Sequence, residues 1–370
     1  MITALHHLQL ISDGSITTGK AVLIEGEKII AVIDEKGIPQ DAKRVDLNGN
    51  YLAPGFIDLQ VYGSGGKLLG EKYQAEALQQ MEDDFLSQGT TGFLATIGTN
   101  AAKIFEEVIL SAKTFRDKGS KNFLGLHLEG PFLNPERKGA HLANLMRKGT
   151  LAEVQRWIEM ADGVIKMMTI APELQDQEVI DYLNDHGVIL SAGHSNATYL
   201  EAKDFLNNPV KAVTHLYNAM PPMHHRETGY IPAIFEERPY TSIVVDGIHV
   251  DYAMVRLAKR ELGDKLFLIT DAVTATTEGN YPLHELRGDH YVMPPHYTLS
   301  GSNLTMLKAV QNCVNHADIK LAEAINMATL YPAQLIGAAK KGKIEKGYDA
   351  DLVIFNNDFE VKGTVFKGII

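Results

Sequence analysis

The chain has 370 residues and a mass of 40.7 kDa, with 45% hydrophobic and 22% charged residues, enough apolar material for a large core and too much for a disordered chain. A formal net charge of -11 and a pI of about 5.7 argue against general affinity for nucleic acid or anionic membranes. The N-terminal MITALHHLQLISDGS has no cationic segment ahead of an apolar core, and no apolar run reaches about 18 residues. Neither export nor a membrane span is expected. The single cysteine, Cys313, has no intrachain partner and lies in the helical-looking LTMLKAVQNCVNHA, so it reads as a packed thiol in a reducing cytoplasm.

Residues 1–53 alternate in short stretches such as AVLIEGEKIIAVID, broken by Gly and Asp turn signals, which predicts β-structure. From residue 54 the pattern changes. GFIDLQ, TGFLATIG, FLGLHLEG, VIKMMTIAPE, VILSAGHS, AVTHLYN, TSIVVDGIH and LFLITDA read as eight buried strands. Amphipathic helices such as AEALQQMEDDFLSQG, AAKIFEEVILSAKTF and LAEVQRWIEMA come between them. This βα alternation predicts a (β/α)8 TIM-like barrel over 54–342. Residues 343–370, in GKIEKGYDADLVIF and its continuation, return to short β-branched runs. Neither terminal segment buries enough apolar area alone, so 1–53 and 343–370 are expected to pair as one small β-sandwich domain. Two connections are long and rich in Pro, Gly and His: AMPPMHHRETGYIP after the sixth strand, and the stretch from Val273 to Ser302 after the eighth.

Glu129, His194, His215 and Asp271 each follow a predicted barrel strand. Strand C-termini of a parallel barrel open onto one face, so these residues converge on one pocket. Imidazoles and a carboxylate suit a divalent metal ion, and Glu129, His194 and His215 supply that set. A single strand-end histidine is more often structural; three suitable ligands on three strand ends, joined by a second carboxylate, point to metal-assisted hydrolysis. Water on such an ion has a pKa of roughly 7, and Asp271 is placed to take its proton and pass it to a leaving nitrogen. Asp271 alone also reads as a turn or helix-capping carboxylate. His249, at the end of strand seven, either donates to a polarised carbonyl or adds a metal ligand. His127 faces the same side of its strand as Glu129 and either supports a ligand or fills the barrel interior. Arg226 sits with His224 and His225 in an isolated cationic cluster, suited to phosphate or simply solvated. Asn218, His141 and the LSGSN segment are common residue types that decide nothing alone. His6, His7, His186, His284, His290, His296 and His316 fit no such position and read as surface or packing residues.

HLEGPFLNPERKGAH, AGHSNAT, THLYNAM, DGIHVD, TDA and LSGS together resemble the N-acetylglucosamine-6-phosphate deacetylase family of the amidohydrolase superfamily. APGFID and GKIEKGYDADLVIF resemble the superfamily segments that join sandwich to barrel. The resemblance implies hydrolysis of an acetamide to acetate and glucosamine 6-phosphate in amino-sugar catabolism. Glu129, His194 and His215 would hold one divalent ion per subunit, zinc first, with iron, cobalt or manganese as alternatives. Asp271 would be the acid/base and His249 would orient the carbonyl. Ala140, His141, Asn218, Ala219, Arg226, Ile248 and a turn at Leu299, Ser300 and Gly301 would contact the sugar phosphate. Arg226 would reach the neighbouring site of a homodimer. Many superfamily members carry His-x-His at the end of strand one; here Gln60 and Tyr62 stand instead, which favours a single metal. Tyr62 replaces a small polar residue, and no contact is assigned to it. The alternatives are a deacetylase for the galactose epimer, a cyclic amidase or deaminase, and a barrel kept as a scaffold. The deaminase reading is weakened by the missing His pair and by TIAPE at strand four, where it needs a lysine.

Overall fold

The computed structural model describes residues 1–276 and 283–370. Residues 277–282, inside the second long connection, lie outside the described residues. The chain separates into two compact units, one made of residues 1–58, 83–92 and 305–370, the other of 59–82 and 93–304.

In the first unit, strand Leu352–Phe355 pairs antiparallel with Tyr51–Pro54, which pairs parallel with Gln9–Ser12. The two chain ends therefore share a five-stranded sheet, accompanied by a four-stranded sheet from residues 3–46. Leu5, Val22, Ile24, Leu52, Leu352 and Val365 form one buried cluster between them, as neither segment could alone. This unit extends past the division expected at 53/54 and 342/343, because it takes in helices Met306–His316, Leu321–Ala328 and Leu330–Leu335. Leu321–Ala328 lays its apolar face on strands Gln9–Ser12 and Ser15–Thr17.

The expected eight strands form one parallel sheet: β1 (Phe56–Val61), β2 (Thr90–Ile97), β3 (Phe123–Glu129), β4 (Ile165–Ile170), β5 (Ile189–Ala192), β6 (Ala212–Val213), β7 (Tyr240–Ile243) and β8 (Leu266–Leu268). Each lies beside the next in chain order, and β1 and β2 are buried at every position, as strands covered on both faces must be. The sheet closes on itself beyond β8. Asp271 N–H donates to the Gln60 carbonyl at 2.9 Å, and Tyr62 N–H to the Ala272 carbonyl at 2.9 Å. The intervening helices match their sequence signals. Leu151–Ala161, for example, starts at Thr150, whose hydroxyl accepts from Glu153 N–H, and buries Val154, Trp157 and Ala161 along one face.

Trp157, the only tryptophan, is 2% exposed and stacks between Phe105 (centroids 4.9 Å apart) and Phe132 (5.5 Å). Its indole nitrogen has no hydrogen-bond partner among the described residues, so its contribution is packing alone. Trp157→Ala is expected to lower stability by about 3–5 kcal/mol, and Trp157→Phe by less. Urea unfolding followed by circular dichroism tests this; equal losses in the two variants would refute the packing assignment.

Candidate metal-dependent active site

β3 ends on Glu129, and its carboxylate is 1% exposed. Loops after β5 and β6 bring His194 and His215 to it. The His215 Nε2 lies 3.0 Å from Glu129 Oε1 and 3.1 Å from His194 Nε2, which is itself 3.5 Å from Glu129 Oε1. His141, from the loop after β3, places Nε2 3.1 Å from Glu129 Oε2. Ligand atoms of Glu129, His141 and His194 all fall within 4.8 Å of one another. His141 thus belongs to the cluster as well as lining the cleft.

The protonation pattern fits a cation. His194 Nδ1 bonds the Arg137 carbonyl at 2.7 Å, and a carbonyl only accepts, so Nδ1 carries the proton and the Nε2 lone pair faces the cluster. Burial lowers the His194 pKa and favours this neutral form. Burial alone would raise the Glu129 pKa; His141 first, then His194 and His215, reverse this and hold it well below the usual carboxylate value. A buried carboxylate beside the His194 lone pair and the His215 ring is a donor set that a divalent ion completes.

Gln60 and Tyr62 occupy the strand-one position. The Gln60 amide nitrogen lies 3.1 Å from Glu129 Oε1 and 2.8 Å from Asp271 Oδ1, so one side chain spans the cluster and the second carboxylate. The Tyr62 hydroxyl contacts Glu129 Oε2 directly, which supplies the partner that its sequence position left unassigned. His127 takes the interior role. Its ring nitrogens meet the Leu59 carbonyl at 2.9 Å and Thr169 Oγ1 at 2.7 Å, and burial drops its pKa to about 4.

His249 stands across the cleft. Nδ1 is 2.5 Å from Asp246 Oδ2, and Nε2 is 2.5 Å from the Ser300 carbonyl. Burial opposes charge on this ring, but Asp246, Asp271 and the Ser300 carbonyl together raise its pKa above the ordinary imidazole value. In this geometry Nε2 carries a proton and donates to the Ser300 carbonyl.

Three of these residues hold left-handed backbone: His194 (φ 46°), His215 (φ 35°) and Asp271 (φ 53°). Few side chains adopt this conformation at rest, and its recurrence at strand ends turns each side chain into the barrel mouth. Just before His194, a Cβ on Gly193 would stand 2.6 Å from Thr169 Cγ2 and 2.9 Å from Thr214 Cβ, so only glycine fits.

The cleft has a volume of about 160 Å³. Ala140, Asn218, Ala219, Leu299, Ser300 and Gly301 line it with the cluster, whereas Ile248 and Arg226 do not. Ile248 is 42% exposed, and Arg226 is exposed in the loop after β6. Leu299, Ser300 and Gly301 lie in a strand, Thr298–Ser302, rather than the expected turn, because it pairs antiparallel with His290–Met293 and bridges Ala272. His284, expected to be surface or packing, lines the cleft at 6% exposure and bonds Ser300 Oγ at 2.6 Å. Burial drops its pKa to about 4, so it faces the cleft as a neutral imidazole. No strand-end signal marks it in the sequence.

The amidohydrolase family model matches residues 51–370. An N-acetylglucosamine-6-phosphate deacetylase from Haemophilus influenzae is 38% identical over 364 residues, covering 94% of this chain and 93% of its own. The crystal structure of the Pasteurella multocida enzyme of that name superposes with a TM-score of 0.93 at 34% identity, over 100% of this chain and 99% of that one. A Mycobacterium smegmatis enzyme of that name, solved as a point mutant with N-acetyl-D-glucosamine-6-phosphate, gives 0.89 at 27% identity, over 100% and 98%. With a family model over most of its length and a curated relative at this identity and coverage, the chain belongs to the amidohydrolase family and, within it, to the N-acetylglucosamine-6-phosphate deacetylases.

Proposed function

We propose that this chain hydrolyses the acetamide of N-acetyl-D-glucosamine 6-phosphate to D-glucosamine 6-phosphate and acetate, in amino-sugar catabolism. The observation that carries the reading is the buried Glu129, His194 and His215 cluster joined through Gln60 to Asp271, in a chain similar to these deacetylases over nearly its whole length. Glu129, His194 and His215 hold one divalent ion, zinc first among the candidates; His141 is a fourth group within reach. When bound, such an ion supplies Lewis acidity and lowers the pKa of water.

The remaining steps belong to the side chains. Asp271 accepts the proton that water loses as the new C–O bond forms, and returns it to the amine nitrogen as the C–N bond breaks. His249 donates Nε2–H toward the acetamide oxygen, with Asp246 fixing the ring and sustaining its charge. His141, Asn218, Ala140, Ala219 and the Leu299 to Gly301 strand contact the sugar, and Ile248 sits at the rim. Arg226 binds the phosphate in the neighbouring site of a homodimer; its exposure outside its own cleft supports this. No helix among the described residues is long and apolar enough to cross a membrane, and a cytoplasmic setting suits the single buried thiol.

Purified chain supplied with zinc, iron, cobalt or manganese is expected to release acetate from N-acetylglucosamine 6-phosphate. Asp271→Asn, whose amide tolerates left-handed backbone, should lower kcat by about 10²- to 10⁴-fold at unchanged metal content. An unaffected rate would remove Asp271 from the mechanism.

The donor form of His249 exists below its raised pKa and is lost as pH climbs through it. Asp246→Asn removes the carboxylate that sustains this charge, so the alkaline limb of kcat/KM should move to lower pH by about 1–3 pH units. A limb that stays in place, measured over a full pH profile, counts against His249 as the donor.

Arg226→Ala should raise KM for the phosphorylated sugar and leave the weaker hydrolysis of unphosphorylated N-acetylglucosamine unchanged. Parallel losses on both substrates would place Arg226 outside phosphate recognition.

A further inference from the structure

The TIAPE segment after β4 has no part in the chemistry above, yet its carboxylate is the hub of the loops that hold His194. Glu173, in the short turn Pro172–Leu174, is partly buried. Its Oε1 accepts from the backbone N–H of Asn196 at 2.8 Å and from the side-chain amide of Asn134 at 3.0 Å; Oε2 accepts from Ser195 Oγ at 2.7 Å. Asn134 and Ser195 are buried, so these donors have little access to water as a substitute.

The partners come from both sides of the ligand. Ser195 and Asn196 directly follow His194. Asn134 opens the turn Pro135–Arg137, its side-chain oxygen accepting from Glu136 N–H at 3.0 Å, and its own N–H donates to the His194 carbonyl at 2.9 Å. That turn ends on Arg137, whose carbonyl receives His194 Nδ1–H and whose guanidinium returns to Asn196 Oδ1 at 2.7 Å. One anion therefore ties the chain segment carrying His194 to the segment that fixes its tautomer. This matters because His194 holds a left-handed backbone that local preference does not sustain.

We propose that Glu173 is a positioning residue that sets metal affinity through His194, an inference resting on the reading of His194 as a metal ligand. Hydrogen-bonded partners that orient a ligating imidazole change affinity without touching the ion. A glutamine of the same shape offers one acceptor oxygen where the carboxylate offers two, and turns an NH2 group toward donors.

The test measures the zinc dissociation constant of the full-length chain by competition with a chromophoric chelator, with circular dichroism reporting the fold. Glu173→Gln is expected to weaken zinc binding about 10- to 100-fold. Ser195→Ala removes one of the three bonds and should weaken it by a smaller factor; it carries the comparison if Glu173→Gln does not fold. In a His194→Ala background Glu173→Gln should have no further effect, since a residue acting only through His194 has nothing left to position. Zinc affinity equal to wild type in both variants, or the full loss persisting without His194, overturns the proposal. A wild-type chain that takes up no zinc overturns the metal reading and this inference with it.

Discussion

A carboxylate sealed from water is the constraint on which the site depends. Glu129 is 1% exposed, and a charge in that position is costly unless neighbours compensate it. Here the compensation is distributed. Imidazoles from three loops, an amide from β1 and a phenol two residues further on all address its two oxygens. Because they come from the ends of β1, β3, β5 and β6, the charge is satisfied only when those ends are assembled. The demand for neutralisation and the demand for metal ligands are met by the same atoms.

The backbone bears the cost of that convergence. Left-handed geometry at His194, His215 and Asp271 is disfavoured locally, by about 1–3 kcal/mol each where surrounding structure must enforce it. Gly193 removes the side chain that would otherwise keep β5 from its neighbours. Left-handed residues elsewhere, such as Asp162 and Arg238, end helices, whereas at His194, His215 and Asp271 the same geometry falls just past barrel strands, where it aims side chains into the cleft.

The sequence signals read most clearly where one period governs a whole element. Each of the eight barrel strands is a short apolar run closed by a polar residue, and each forms; the terminal β-segments lack self-sufficient cores, and they pair. Glu129, His194, His215 and Asp271, which follow four of those runs, meet in one cleft for the same reason. What the pattern could not carry was contact created after the barrel is complete. His284, just ahead of the strand Glu285–Arg287, and Ser300, on Thr298–Ser302, reach the cleft beyond β8 in a stretch with no helical or barrel period, and so His284 reads as surface or packing and LSGS as a turn. His141 sits in a loop whose path is set by hydrogen bonds to Thr99, a partner 42 residues away that no local spacing marks. The helices at 306–335 follow the last barrel strand in sequence, but Leu321–Ala328 packs on the N-terminal strands and the other two pack on it, which moves the compact unit away from the β-only division.

The seam that closes the barrel passes through one residue that serves both the backbone and the cleft. Asp271 N–H bonds the Gln60 carbonyl across 211 residues, and the Gln60 side-chain amide bonds the Asp271 carboxylate in return. The same amide reaches Glu129. Any slip of β1 against the stretch after β8 therefore moves the donor that both carboxylates share, so the accuracy of the seam is also the accuracy of the cleft.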